Sequence, residues 1–278
     1  MTVVGTVASI HRFPVKSMQG EQLTEVEIGP DGMVGDREWA LRDIETGKLV
    51  SAKRPRPWRA ALDCTATGLD DDVEIAMPSG EIFHVHDGGV AVALEALFGR
   101  SVAIERSERR QQGTYDSEWP ELDGITLSGD MELPTNLAGE GRGFIDLGVL
   151  HLLTTSSMAT LQAEDDDLVV DVRRFRPSIV VDTPGFDGFP ENDDWAGATL
   201  RIGRGDDAVE VTIGIPTPRC IMTTVAQQDD LPRQPAVLQA IARLNRRTDE
   251  LGSFACLGAY ANVARPGTVR AGDEIELV

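Results

Sequence analysis

Runs of β-branched or alternating apolar residues, each short and each closed by Gly, Pro or Asp, set the strongest limit on how this chain folds. Val3 to Ile10 is β-branched and apolar, Leu23 to Ile28 alternates, and Trp39 to Leu41 is brief. Val73 to Met77 and Ile82 to Val85 are split by the turn Pro78-Ser79-Gly80. Strands this short, with this punctuation, predict a barrel or a sandwich. Val90 to Phe98 instead places Val90, Ala91, Leu94, Leu97 and Phe98 at helical spacing, with Gly99 as a stop, and Val102 to Glu105 returns to strand.

From Ser107 to Gly143 the chain is polar and aperiodic, with Pro120, Pro134 and many glycines, which predicts a long loop or domain junction. The expected division is 1–125 and 126–278. In the second half Leu150 to Leu153 reads as a strand, followed by a helix capped within Thr154-Thr155-Ser156-Ser157 and running to about Ala163. Ile179 to Val181, Thr199 to Ile202, Val209 to Ile213, Ala259 to Val263 and Glu274 to Val278 read as strands. Gln234 to Arg247 is the clearest helix, with Val237, Leu238, Ile241 and Leu244 on one stripe and a basic end that complements its dipole. The whole is α+β and β-rich.

Charge narrows the function. A net charge of -20 in 278 residues repels phosphate, so the chain is expected to bind neither nucleic acid nor an anionic membrane surface. A phosphorylated ligand must therefore meet a local exception. Met1 to Phe13 lacks a basic region followed by an apolar block, and no apolar run approaches about 18 residues, so a soluble cytoplasmic protein is expected. Cys64, Cys220 and Cys256 are odd in number and widely spaced, which predicts reduced thiols rather than a disulfide framework or a metal cluster.

Several short motifs carry chemistry. Lys16 and Ser17 follow the first strand, where strand gives way to loop; a solvated lysine in a turn is the commoner fate of such a residue. Gly35-Asp36-Arg37 and Ser51-Ala52-Lys53-Arg54 add cations. Arg173, Arg174 and Arg176 lead into a buried strand, either to grip an anion with their forks or to pair with Asp171 or the run Glu164 to Asp167. The hydroxyls of 154–157 suit an ordinary helix cap or an anion site. Cys220, beside Arg219 and at the start of a run that reads as strand, is either a thiolate favoured by its neighbour or a small buried hydrophobe.

Six segments in order resemble the MOSC family, the molybdenum-cofactor-sulfurase C-terminal type, with its N-terminal β-barrel domain. They are Phe13 to Gly20, Gly35 to Leu41, Arg173 to Pro177, Glu191 to Trp195, Pro218 to Thr224 and Arg265 to Asp273. The resemblance implies an N-terminal β-barrel-like domain followed by a MOSC β-barrel domain with flanking helices, and a molybdenum cofactor in a positive groove between them. Lys16, Ser17 and Arg37 would line one side, Thr154, Thr155 and Ser157 the helix start, and Arg174, Arg176 and Ser178 the other side. Lys53 and Arg219 would add to the cofactor contacts, and Cys220 would be the metal ligand and catalytic centre. One departure is Ser178, where members similar to the mitochondrial amidoxime-reducing component carry Asn; a hydroxyl loses the paired geometry of an amide.

The implied activity is two-electron reduction of N-hydroxylated compounds. Electrons are expected from a separate donor of ferredoxin, flavodoxin or cytochrome type, because the chain has no cysteine cluster of its own. A carrier that delivers the cofactor, or sulfur as a Cys220 persulfide, is the alternative; a lyase that has lost the metal is a third reading.

Overall fold

The computed structural model describes residues 2–107, 113–137, 143–228 and 230–278. Its centre is a closed seven-stranded barrel. The barrel strands are β1 (Thr2–Arg12), β2 (Leu150–Thr154), β3 (Ile179–Asp182), β4 (Thr199–Ile202), β5 (Val209–Pro218), β6 (Gly252–Arg265) and β7 (Glu274–Leu277). Around the barrel they run β2-β3-β1-β7-β4-β5-β6, and β6 closes back on β2 with His151 opposite Tyr260. Only β2 and β3 are parallel neighbours.

β1 is long enough to bridge the two halves of the chain. It lies antiparallel to both β3 and β7, and its register slips between Val3 and Gly5 on one side and between Val7 and Ser9 on the other. Each slip sets an extra residue against the partner, so Val4, Val7 and Ile10, spaced by three rather than two, all turn inward. They pack with Leu150, Ile179, Leu200, Val211, Ala259 and Ile275. The barrel thus takes one strand from residues expected to belong to the first domain. A second core, drawn from 15–104, gathers Met18, Trp39, Leu41, Ile75, Leu94 and Val102.

Among the described residues four α-helices accompany the strands: α1 (Pro55–Trp58), α2 (Val90–Phe98), α3 (Thr155–Gln162) and α4 (Pro235–Leu244). α2 ends as expected at Gly99, whose φ of 66° is a left-handed cap that glycine adopts without strain. α4 is shorter than expected: Asn245 ends it, and Arg246 and Arg247 enter a strand paired with Ala255 and Phe254. Val237, Leu238 and Ile241 bury its apolar stripe in a third cluster with Leu161, Phe175 and Leu257. The polar stretch 107–143 is also more ordered than a loop. Thr114–Trp119 and Gly129–Pro134 form an antiparallel hairpin, while 108–112 and 138–142 lie outside the described residues. The turn of that hairpin reaches across to the barrel, where Thr126 N donates to Ser253 O at 2.8 Å. Among the described residues, no helix is long and apolar enough to cross a membrane.

Candidate functional site

Where the loop after β1, the 35–37 turn and the 51–53 segment of the first half meet one end of the barrel, they enclose a cleft. The first half contributes Lys16, Ser17, Arg37, Ser51 and Lys53. The loop before β2 contributes Asp146, β2 gives His151, and β6 gives Tyr260. Phe175 and Arg176 come from the turn before β3, and Arg219 and Cys220 from the end of β5, with Met222 and Thr223 just beyond.

Backbone strain marks this cleft. Ser17, Arg37 and Arg176 have φ of 70°, 53° and 53°, in the left-handed region that non-glycine residues seldom occupy. The surrounding hydrogen bonds enforce these conformations. Ser17 Oγ accepts from Ala52 N at 3.0 Å. The Asp36 carboxylate accepts from Phe13 N at 2.9 Å and pairs with the Arg37 guanidinium, and Arg176 Nη1 donates to Met18 O at 2.6 Å. The Arg176 and Arg37 guanidiniums lie 4.0 Å and 5.0 Å from the centroid of the one Phe13 ring.

Charge is the second mark. Among the described residues five cations line the cleft, Lys16, Arg37, Lys53, Arg176 and Arg219, against the single carboxylate of Asp146. Lys16 Nζ pairs with one Asp146 oxygen and Lys53 Nζ with the other at 2.8 Å. Both ammoniums stand over the Tyr115 ring, 4.4 Å and 5.3 Å from its centroid. Burial opposes ionisation of Asp146, but the two ammoniums outweigh it and hold the carboxyl well below the ordinary range. Burial pushes Lys16 down to about 8 against the pull of Asp146, and pushes Arg176 down to about 9 with repulsion from Arg37 added. Arg176 Nη2 is buried without a hydrogen-bond partner among the described residues. A buried donor left open in a cationic cleft fits an anionic ligand.

Cys220 lines the same cleft with only 4% of its surface exposed. Its backbone is extended, and it precedes a 3-10 turn, Ile221–Thr224, rather than the strand expected there. Thr223 Oγ1 donates to Cys220 O at 3.0 Å. The expectation that Arg219 favours a thiolate is not met: burial pushes the Cys220 thiol up, and the cations nearby do not offset it. Burial outweighs the pull of Arg219, whose own fork is taken up by other partners, Leu257 O, Phe175 O and His151 Nε2. Burial and the neighbouring Arg219 keep His151 neutral, so it can accept that bond. At Gly258, φ 78°, a Cβ would collide with His151 Nε2 and Leu152 O, so only glycine lets β6 pass this close.

Of the residues anticipated from sequence, Lys16, Ser17, Arg37, Lys53, Arg176, Arg219 and Cys220 come together in the cleft. Thr154, Thr155, Ser157, Arg174 and Ser178 do not line it. Thr154 caps α3, accepting from Ser157 N, and Thr154 and Ser157 both donate to the buried Glu191 carboxylate, at 2.7 Å and 2.6 Å. Thr155 Oγ1 donates to Asp182 at 3.1 Å. Ser178 Oγ accepts from His151 N at 3.1 Å and so helps hold β2 against the turn before β3. Arg173 pairs with Asp171 and Asp230, while Arg174 is fully buried and, among the described residues, bonds only to backbone carbonyls. Sequence reasoning missed Asp146, His151 and Tyr260. One cue was available, since the chain has only two tyrosines, and Tyr115 and Tyr260 both stand at this cleft. Cys64 and Cys256 are buried and free, and neither lines the cleft.

Comparison with known proteins finds similarity in both halves of the chain. The MOSC domain matches residues 144–276 and the MOSC N-terminal beta barrel domain matches residues 4–87. Mitochondrial amidoxime reducing component 2 of Homo sapiens is 26% identical over 298 residues, covering 98% of this chain and 83% of the relative. Mitochondrial amidoxime-reducing component 1 of Homo sapiens is also 26% identical, over 310 residues, covering 99% of this chain and 83% of the relative. Among solved structures, the YUAD protein from Bacillus subtilis aligns over 98% of this chain and 94% of its own, at 13% identity and a TM-score of 0.46.

Proposed function

Because the chain belongs to the MOSC family and carries that family's N-terminal barrel domain as well, we propose that it is a molybdenum-cofactor-dependent reductase of N-hydroxylated compounds. The observation that carries this reading is the cleft itself, in which a buried thiol, Cys220, shares the space with five cations and one carboxylate. In a protein of net charge -20, such a concentration of positive charge is the local exception that a phosphorylated, anionic cofactor needs. The similarity to amidoxime reducing components points to the substrate class.

The donor set fits the cofactor. A thiolate is a soft ligand for a polarizable metal, and Cys220 would supply it, losing its proton when the metal binds. Arg176, with its open Nη2, Arg37 and Lys53 would hold the anionic part, and Ser17 stands beside them. When bound, the cofactor supplies two-electron transfer between an electron donor and the N–O bond. The overall reaction is R–NHOH plus two electrons and two protons to R–NH2 plus water, with electrons from a separate donor protein. The chain's own part is to bind and orient: Tyr260, Phe175 and Met222 give the cleft an apolar wall, and Lys16, an ammonium whose affinity for its proton burial has reduced to about 8, stands in reach of Asp146. Cys220 is only 4% exposed, which suits a ligand better than a persulfide that must be handed to another protein.

The test is metal analysis of the purified protein together with benzamidoxime turnover from an artificial electron donor. Near-stoichiometric molybdenum with turnover is expected. Metal-free protein carrying a labile sulfur on Cys220 would favour delivery instead and overturn the reductase reading.

A further inference from the structure

Two arginines beside Cys220 have a bonding pattern unlike that of a ligand-binding residue. Arg219, one position before Cys220, spends its whole fork inside the protein. Nε donates to Leu257 O at 2.9 Å on β6, Nη1 to Phe175 O at 2.9 Å in the turn before β3, and Nη2 to Leu257 O and to His151 Nε2 on β2. Arg174 is 0% exposed and grips the other side of the Cys220 segment. Its Nη1 donates to Thr223 O at 3.1 Å and Val225 O at 3.4 Å, Nη2 to Pro232 O at 2.7 Å, and Nε to Val169 O at 2.9 Å. Neither makes a salt bridge among the described residues.

A buried guanidinium without a carboxylate is expensive to keep, and its planar fork of five donors is what distinguishes it from lysine. Here the forks span segments far apart in the chain, and the one short piece of backbone they bracket is 219–225. We propose that Arg174 and Arg219 are positioning residues that clamp the Cys220 loop from its two ends, and that they hold the thiol in place rather than contact the bound group. The inference rests on Cys220 being the metal ligand. It departs from the expectation that both arginines bind the cofactor. The clamp is geometric: a lysine keeps the positive charge but cannot reach carbonyls on opposite sides, so charge and span separate cleanly in an Arg→Lys variant.

The experiment is iodoacetamide labelling of metal-stripped wild type, Arg174→Lys and Arg219→Lys, followed by mass spectrometry. The two other cysteines, both buried, serve as internal references for global opening. Each variant is expected to label at Cys220 at least about tenfold faster than wild type, through local opening of the loop, with Cys64 and Cys256 as protected as before. In the metal-loaded protein, kcat per molybdenum should fall while KM changes by less than about twofold. Unchanged Cys220 labelling in a variant that keeps Cys64 and Cys256 protected would overturn the proposal. Where a variant exposes all three thiols, hydrogen exchange on wild type decides. The amides of Thr223 and Gln234, bonded to Cys220 O and Thr224 O, should exchange as slowly as those of β6; exchange at the rate of an open loop overturns the clamp. Wild-type protein that never binds molybdenum would sink the ligand reading of Cys220 and leave the labelling ratio untouched.

Discussion

At the scale of single residues, the site separates those that face the cleft from those that build it. Cys220→Ala removes the one thiol in the cleft and a side chain too small to leave a large cavity. It should abolish molybdenum retention and benzamidoxime reduction while leaving Tm within a few degrees of wild type, and a variant with full turnover would remove Cys220 from the chemistry. Glu191 tests the building role. Burial raises the affinity of its carboxyl for a proton, against the hydrogen bonds from Ser157 and Thr154. A carboxyl that binds protons more tightly folded than unfolded contributes stability below its unfolded pKa of about 4.3, and this is lost as pH rises through the folded value. Against Glu191→Gln, which cannot titrate, wild type should therefore gain relative stability as pH falls and lose it as pH rises. Thermal melts of both proteins between pH 4 and 8, run in parallel, check this; a constant difference would show that Glu191 does not titrate differently on folding.

At the scale of elements, β1 is the piece on which the barrel depends. Ile10 is 0% exposed and packs in the barrel core, so Ile10→Ala should lower stability by about 2–5 kcal/mol, read by urea denaturation. Removing 2–12 takes away the strand between β3 and β7 and leaves both edges unpaired. A fragment of 126–278 lacks that strand too and is expected to show no cooperative melt; a sharp transition from the fragment would show that the second half closes without it. The short strands, the α2 stop at Gly99 and the stripe of α4 were all readable from local pattern, because each rests on spacing within about a dozen residues. The hairpin 114–134 was not, since neither of its strands carries a strong apolar alternation and their pairing is set by long-range contact. Nor was the strand at Arg246–Asp249, where two arginines that would suit a helix end are drawn into pairing with β6.

At the scale of the whole molecule, a net charge of -20 is set against a cleft of opposite sign. Self-repulsion among the carboxylates opposes the compact state and is screened within about 10 Å at 0.1 M salt. Melting temperature should therefore rise between 10 mM and 500 mM sodium chloride; a fall would mean that the favourable ion pairs outweigh the repulsion.

The sequence alone determined that the chain is β-rich with few helices and that it carries the MOSC motifs in order, and through that resemblance it implied that Lys16, Arg37, Arg176 and Cys220 share a site. Short strands, turns and motif order are local properties, written where they act. Only the tertiary structure decided which member of each motif faces the cleft. Arg173, Arg174 and Arg176 stand within four positions, yet one pairs with carboxylates, one with backbone carbonyls, and one is left with an open donor in the cleft. Asp146 and His151 entered the site for the same reason, through contacts with distant segments that no local pattern encodes. So did the state of Cys220, whose thiol burial pushes up by more than the nearby cations pull it down.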